Sequence, residues 1–176
     1  VMTWGQQMKT MTEFFKQAEL AFAAYADLGQ GEPDPQKLRD VDMSEAQAER
    51  FSLSWRVVDQ HTDAPSGFSA TLFQELDGGG NAVGEKRLAI RGTNDLIDLF
   101  VDWGVFAGTG AVDQYRELES YYQELLATGK VLGDERMIIT GHSLGGFLAQ
   151  GFAVDYPGAV SQAYTYNAPG LGGLAA

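Results

Sequence analysis

The first half of the chain begins with helical spacing of apolar residues. From about Gln6 to Leu28 they form a broad stripe, which predicts an amphipathic helix. Gly29 follows this stripe directly and is expected to end the helix. After a polar stretch, Ser44 is a good N-cap residue and predicts the start of a short second helix.

The spacing then changes to one typical of strands. Alternating apolar residues predict strands over Phe51 to Val58 and over Phe68 to Leu76. A glycine-rich turn, Asp77 to Asn81, leads to a third strand that contains Leu88, Ala89 and Ile90. Short turns between consecutive strands favour antiparallel pairing, so these three strands are expected to enter the sheet antiparallel.

The second half alternates helix and strand. A helix is predicted from about Asp113 to Thr128, and the apolar run Met137 to Ile139 predicts a strand buried on both faces. Apolar residues at helical spacing from Leu144 to Val154 follow, and then a last strand from Val160. This alternation predicts an α/β fold with parallel strands and with helices on both faces of the sheet.

A serine lies where the buried strand meets the following helix. The sequence Gly141-x-Ser143-x-Gly145 has the order strand, glycine turn and helix that a nucleophile elbow requires. Glycines keep side chains out of such a crowded turn. The alternative is a closely packed glycine turn in which Ser143 only caps the helix.

Acyl transfer also needs hydrogen-bond donors for the developing oxyanion. The backbone amide of Leu144, the residue after the serine, has the place of one donor at the N-terminus of a helix. The second donor is expected from the loop after the third strand, where Arg91, Gly92 and Thr93 follow one another.

Three separated motifs, AIRGTND, IITGHSLGGFLA and TYNAPG, resemble the class 3 lipase family over roughly residues 10 to 172. The resemblance implies an α/β-hydrolase fold, a three-layer sheet with helices on both faces. It also implies Ser143 as the catalytic nucleophile and Thr93 and Leu144 as oxyanion donors. Residues 1–176 are then expected to be the N-terminal portion of a single lipase-like domain, incomplete at the C-terminus.

The general base has no evident source in this chain. The fold orders its triad as Ser, Asp or Glu, then His, yet both histidines, His61 and His142, precede Ser143. We expect His61 to be a solvated loop residue and His142 to pack inside the fold, pointing away from the serine. Asp155 is assigned to the surface. The family's acid and histidine are therefore expected beyond residue 176, in a C-terminal fragment of the same protein.

The segment from Asn94 to Phe106 has two interpretations. Its apolar residues could form a lid over the serine. The favoured interpretation is a helix or loop packed on the sheet, with Asp95, Asp98 and Asp102 facing water. No metal site is predicted from these aspartates, because like charges on one face are usually solvated.

Composition narrows the classes of partner. The net charge of −12 opposes nucleic acid and anionic membranes. The sequence contains no cysteine, which excludes thiol chemistry, and no cofactor is expected. Neither localisation nor oligomeric state follows from the sequence, and both a secreted and a cytoplasmic protein agree with it.

The favoured function is a serine carboxylic-ester hydrolase, a triacylglycerol lipase or phospholipase, that acts on a lipid or other ester substrate through an acyl-enzyme at Ser143. The alternative is a catalytically inactive binding module with the same fold. A thioesterase or serine peptidase is less favoured, because the Arg-Gly-Thr pattern resembles that of lipases.

Overall fold

The computed structural model describes residues 4–92 and 103–171, with side chains for 10–92 and 110–171. Its centre is one five-stranded sheet in the order β1-β2-β3-β4-β5. The strands are β1 (Trp55–Thr62), β2 (Ser69–Leu76), β3 (Ala82–Ile90), β4 (Met137–His142) and β5 (Val160–Tyr166).

The sheet is mixed in the way the sequence predicts. Strands β1, β2 and β3 pair antiparallel, whereas β3, β4 and β5 run parallel. The Asp77 carboxylate accepts bonds from the amides of Gly79 and Asn81 and so closes the turn between β2 and β3. Ile90 pairs with Gly141, which places the carboxyl ends of β3 and β4 side by side.

Helices cover both faces of this sheet, as predicted. They are α1 (Trp4–Ala23), α2 (Pro35–Arg39), α3 (Glu45–Ser54), α4 (Trp103–Ala127) and α5 (Leu144–Asp155). Side chains alternate along β3, so Leu88 and Ile90 pack in one core with α4 and α5. Ala89 faces the opposite core, beneath α1, α2 and α3. The predicted α/β fold is therefore confirmed.

The element bounds differ from the prediction at three places. Helix α1 ends at Ala23 rather than Leu28, and α4 begins at Trp103 rather than near Asp113. The predicted strand from Phe51 is wrong in its first four residues, because α3 continues to Ser54. None of the helices in the described part of the chain has both the length and the apolar character needed to cross a membrane.

A capping box explains the correction in α3. The Ser44 hydroxyl accepts a bond from the Gln47 amide, and the Gln47 side chain accepts one from the Ser44 amide. One helical turn further on, Ala48 and Phe51 are buried against the sheet. The chain therefore enters β1 only at Trp55.

Candidate active site

Ser143 connects the end of β4 to the start of α5. Its backbone has φ 54° and ψ −123°, close to the values at the first central position of a type II′ turn, where glycine is favoured. Holding a serine there costs on the order of 1–3 kcal/mol of strain. Strain of this kind is concentrated at functional sites.

The two motif glycines leave no room for a side chain. A Cβ at Gly141 would lie 2.3 Å from the carbonyl carbon of Gly145. A Cβ at Gly145 would lie 2.2 Å from the carbonyl oxygen of Ile90, on β3. The turn therefore packs backbone on backbone, and both glycines are required to bring α5 against the ends of β3 and β4.

Backbone hydrogen bonds fix the serine within this turn. The Ser143 amide donates to the Tyr166 carbonyl oxygen over 2.9 Å, and the Ser143 carbonyl oxygen accepts from the Gly146 and Phe147 amides. The side chain makes no capping hydrogen bond, so the alternative of a helix-capping serine is wrong. The residue is buried, with 2% of its surface exposed.

One predicted oxyanion donor, Leu144, directly follows this serine. Leu144 is the first residue of α5 and is buried. The first amides of a helix have no partner within the helix, and the helix dipole favours negative charge there. Thr93 lies outside the described residues, but Gly92 does not, and a Cβ at Gly92 would lie 3.4 Å from the Ser143 Cβ. The end of β3 is thus adjacent to the serine.

His142 packs inside the fold, as predicted. Its Nδ1 atom lies 3.2 Å from the Tyr25 hydroxyl oxygen, just beyond the end of α1. Burial lowers the pKa of His142 below its ordinary value, since the charged imidazolium loses hydration. The imidazole of His142 is therefore bonded to Tyr25 and not to Ser143.

His61 is not the solvated loop residue that was expected. It lies in β1, where its ring stacks on Tyr121 with the centroids 5.0 Å apart, and its Nε2 atom is 3.8 Å from a Glu117 carboxylate oxygen. Strands β2 and β3 separate β1 from β4. At about 4.8 Å per strand, His61 is roughly 14 Å from β4 across the sheet. It is therefore not placed to activate Ser143.

Asp155, at the far end of α5, is exposed as predicted. Its carboxylate accepts a hydrogen bond from the Tyr115 hydroxyl over 2.5 Å. This interaction ties α5 to α4. Burial and the Asp155 carboxylate both raise the pKa of Tyr115, so the phenol remains protonated and keeps donating.

Other sequence predictions fall partly or wholly outside the described residues. The aspartates considered for a cation, at positions 95, 98 and 102, lie there, as does most of the segment from Asn94 to Phe106. Its last residues, from Trp103, form the start of α4. Within residues 4–92 and 103–171, no three metal-ligating side chains are grouped to hold an ion.

Sequence reasoning did not assign two contributors to this site. They are the Tyr25 hydroxyl, bonded to His142, and the Tyr166 carbonyl, bonded to the Ser143 amide. Tyr25 lies two residues beyond the end of α1. Its contact lies 117 residues away in the chain, so no local pattern could indicate it.

Solved structures of fungal lipases share this architecture. Lipase II from Rhizopus niveus aligns with a TM-score of 0.60 and 20% identity, covering 92% of this chain and 63% of that one. A lipase from Rhizopus microsporus var. chinensis gives 0.62 and 18%, with 92% and 58% covered. Lip2 lipase from Yarrowia lipolytica gives 0.59 and 18%, with 92% and 60% covered. The chain thus spans about three fifths of the length of these lipases.

These likenesses define the fold as that of the α/β-hydrolase lipases. Residues 16–174 match the family model described as Phospholipase-like, Tle-like phospholipase domain, and the chain belongs to that family. A comparison with curated proteins finds no match.

Proposed function

We propose that this chain carries the nucleophile and oxyanion hole of a serine hydrolase that cleaves lipid carboxylic esters. The observation that carries the proposal is Ser143 itself. A buried serine is held in a strained backbone conformation between a parallel strand and a helix N-terminus. The family match supports a lipid ester as the substrate.

In the proposed reaction the Ser143 Oγ attacks the acyl carbonyl carbon and gives its proton to a general base. The carbonyl oxygen becomes an oxyanion that accepts hydrogen bonds from the amides of Leu144 and Thr93. When the C–O bond breaks, the base returns the proton to the departing alcohol and the acyl group stays on Ser143. Water, deprotonated by the same base, then releases the fatty acid.

The general base is proposed to come from outside these 176 residues. The chain's two histidines are engaged elsewhere, His142 with Tyr25 and His61 with Tyr121. Strand β5 is the last strand of the described sheet, and Gln162, Ala163 and Thr165 on it are exposed. An edge strand presents a row of unpaired backbone N–H and C=O groups, which a further parallel strand beside β5 would pair. The carboxyl end of that strand would lie at the same edge as Ser143.

The test is fluorophosphonate labelling of the full-length protein, followed by intact-mass measurement. Wild type and Ser161→Ala, a matched serine in β5, should gain one adduct, and Ser143→Ala should gain none. Ser143→Ala should lose hydrolysis of phosphatidylcholine and triolein, whereas Ser161→Ala should keep it. Ester hydrolysis that persists in Ser143→Ala would refute the proposal.

A binding module without catalysis is the second candidate, favoured by the position of both histidines. In that case the full-length protein would bind lipid vesicles but would not react with the fluorophosphonate probe. Parallel assays with ester, thioester and amide substrates test the thioesterase and peptidase alternatives, and the proposal requires the ester to react fastest.

A further inference from the structure

Tyr25 lies between the two backbone segments that flank the serine. Its hydroxyl oxygen is 3.2 Å from Nδ1 of His142, the residue before Ser143. On the other side it meets Gly92, where a Cβ would lie only 2.6 Å from the same oxygen. One phenol therefore contacts the ends of both β3 and β4.

The surroundings of this phenol favour one arrangement of its hydrogen bonds. A bond from the Gly92 backbone opposes the rise that burial causes in the pKa of Tyr25, which is the effect of an N–H group that donates to the phenol oxygen. The hydroxyl proton is then available for Nδ1 of His142. In this arrangement His142 is neutral and carries its own proton on Nε2.

Gly92 also lies close to the backbone of His142. The Cβ position at Gly92 is also 2.6 Å from the His142 carbonyl oxygen. Because Gly92 directly precedes Thr93 and His142 directly precedes Ser143, a shift of either segment would move a group of the proposed reaction. Displacements of about 1 Å at such groups can cost on the order of 100-fold in rate.

We propose that Tyr25 is a positioning residue of the hydrolase, whose hydroxyl joins Gly92 to His142 and so sets the distance between Ser143 and the start of the loop after β3, Arg91 and Gly92. This inference rests on the proposed function. Tyr25 touches neither substrate nor reacting atoms, and it acts through the two backbone segments that it holds together.

The test compares Tyr25→Phe with Tyr156→Phe in the full-length protein. Tyr156→Phe also loses one hydroxyl bond, to Glu119, but at the far end of α5, about 20 Å along the helix from Ser143. With p-nitrophenyl butyrate, kcat of Tyr25→Phe should fall about 10- to 100-fold with KM changed less than about threefold. Tyr156→Phe should keep the wild-type kcat. Equal kcat values for the two variants would overturn the proposal.

Nitrogen-proton NMR of the His142 ring and the Gly92 amide gives a readout independent of turnover. The wild type should show protonated Nε2 and bare Nδ1, and Tyr25→Phe should shift both Nδ1 and the Gly92 amide proton. If the wild type lacks esterase activity, the proposed function fails, and the NMR comparison still decides the hydrogen bonds. Unchanged signals in Tyr25→Phe would then overturn the inference. Shifted signals would support hydrogen bonds from the Tyr25 hydroxyl to both Gly92 and His142.

Discussion

Replacement of Gly145 by alanine tests the close approach of α5 to β3. The added Cβ would lie 2.2 Å from the Ile90 carbonyl oxygen and 2.9 Å from the Arg91 carbonyl carbon. An ordinary carbon–oxygen contact is about 3.3 Å, so α5 must move by roughly 1 Å. Both partners are backbone atoms, so no side chain can rotate away to relieve the contact.

The cost follows from that displacement. Overpacking of this kind costs up to about 3 kcal/mol, and the helix preference of alanine over glycine returns about 1 kcal/mol. We expect a net loss of about 2 kcal/mol, which lowers Tm by about 4–8 °C for a chain of this size. Ester hydrolysis should fall more than about tenfold, because the Leu144 amide moves with the helix.

Gly151→Ala is the matched control in the same helix. Its Cβ would meet an edge carbon of the Tyr115 ring at 3.2 Å, a side chain that can yield. We expect its unfolding free energy to stay within about 1 kcal/mol of the wild type. Calorimetry and an esterase assay on both variants check the comparison. A Gly145→Ala protein as stable and as active as Gly151→Ala would refute the packing argument.

Three further outcomes are expected. Ser143→Gly should be more stable than Ser143→Ala by about 1 kcal/mol in urea unfolding, because it relieves the strain at φ 54°, and equal stabilities would contradict this. The pKa of His142 is lowered in the folded state, so the stability it contributes is complete above about pH 6.5 and is lost as pH falls below that value. The wild type should therefore lose more stability than His142→Gln between pH 7 and 5, and parallel curves would count against it. Lys130→Met should cost about 2 kcal/mol, since the buried Asp59 carboxylate loses an ammonium partner 2.7 Å away. An unchanged urea midpoint would show that this pair contributes nothing.

The sequence predicted most of the elements around the serine, because strand, glycine turn and helix follow directly from local apolar spacing. Local apolar spacing did not predict the end of α3. Phe51, Leu53 and Trp55 alternate as a strand would, yet Leu53 is 74% exposed on the helix. The capping box at Ser44 and the burial of Phe51 decided in favour of the helix.

The sequence predicted only those parts of the site whose residues are close together in the chain. The elbow glycines and Ser143 lie within five residues, so their spacing indicated the turn. The surroundings of His61 depend on Tyr121, which lies in α4 some 60 residues further along the chain. The Tyr25 contact likewise depends on residues distant in sequence, so neither could be derived from a local pattern.

The long separation between Tyr25 and His142 also affects how the protein is made. At synthesis rates of about 5–20 residues per second, the 117 residues that follow Tyr25, up to and including His142, take roughly 6–23 s to emerge. During that interval α1, which packs against β4 in the finished fold, has no β4 beside it. We therefore expect nascent chains that end before β4 to leave this face of α1 exposed.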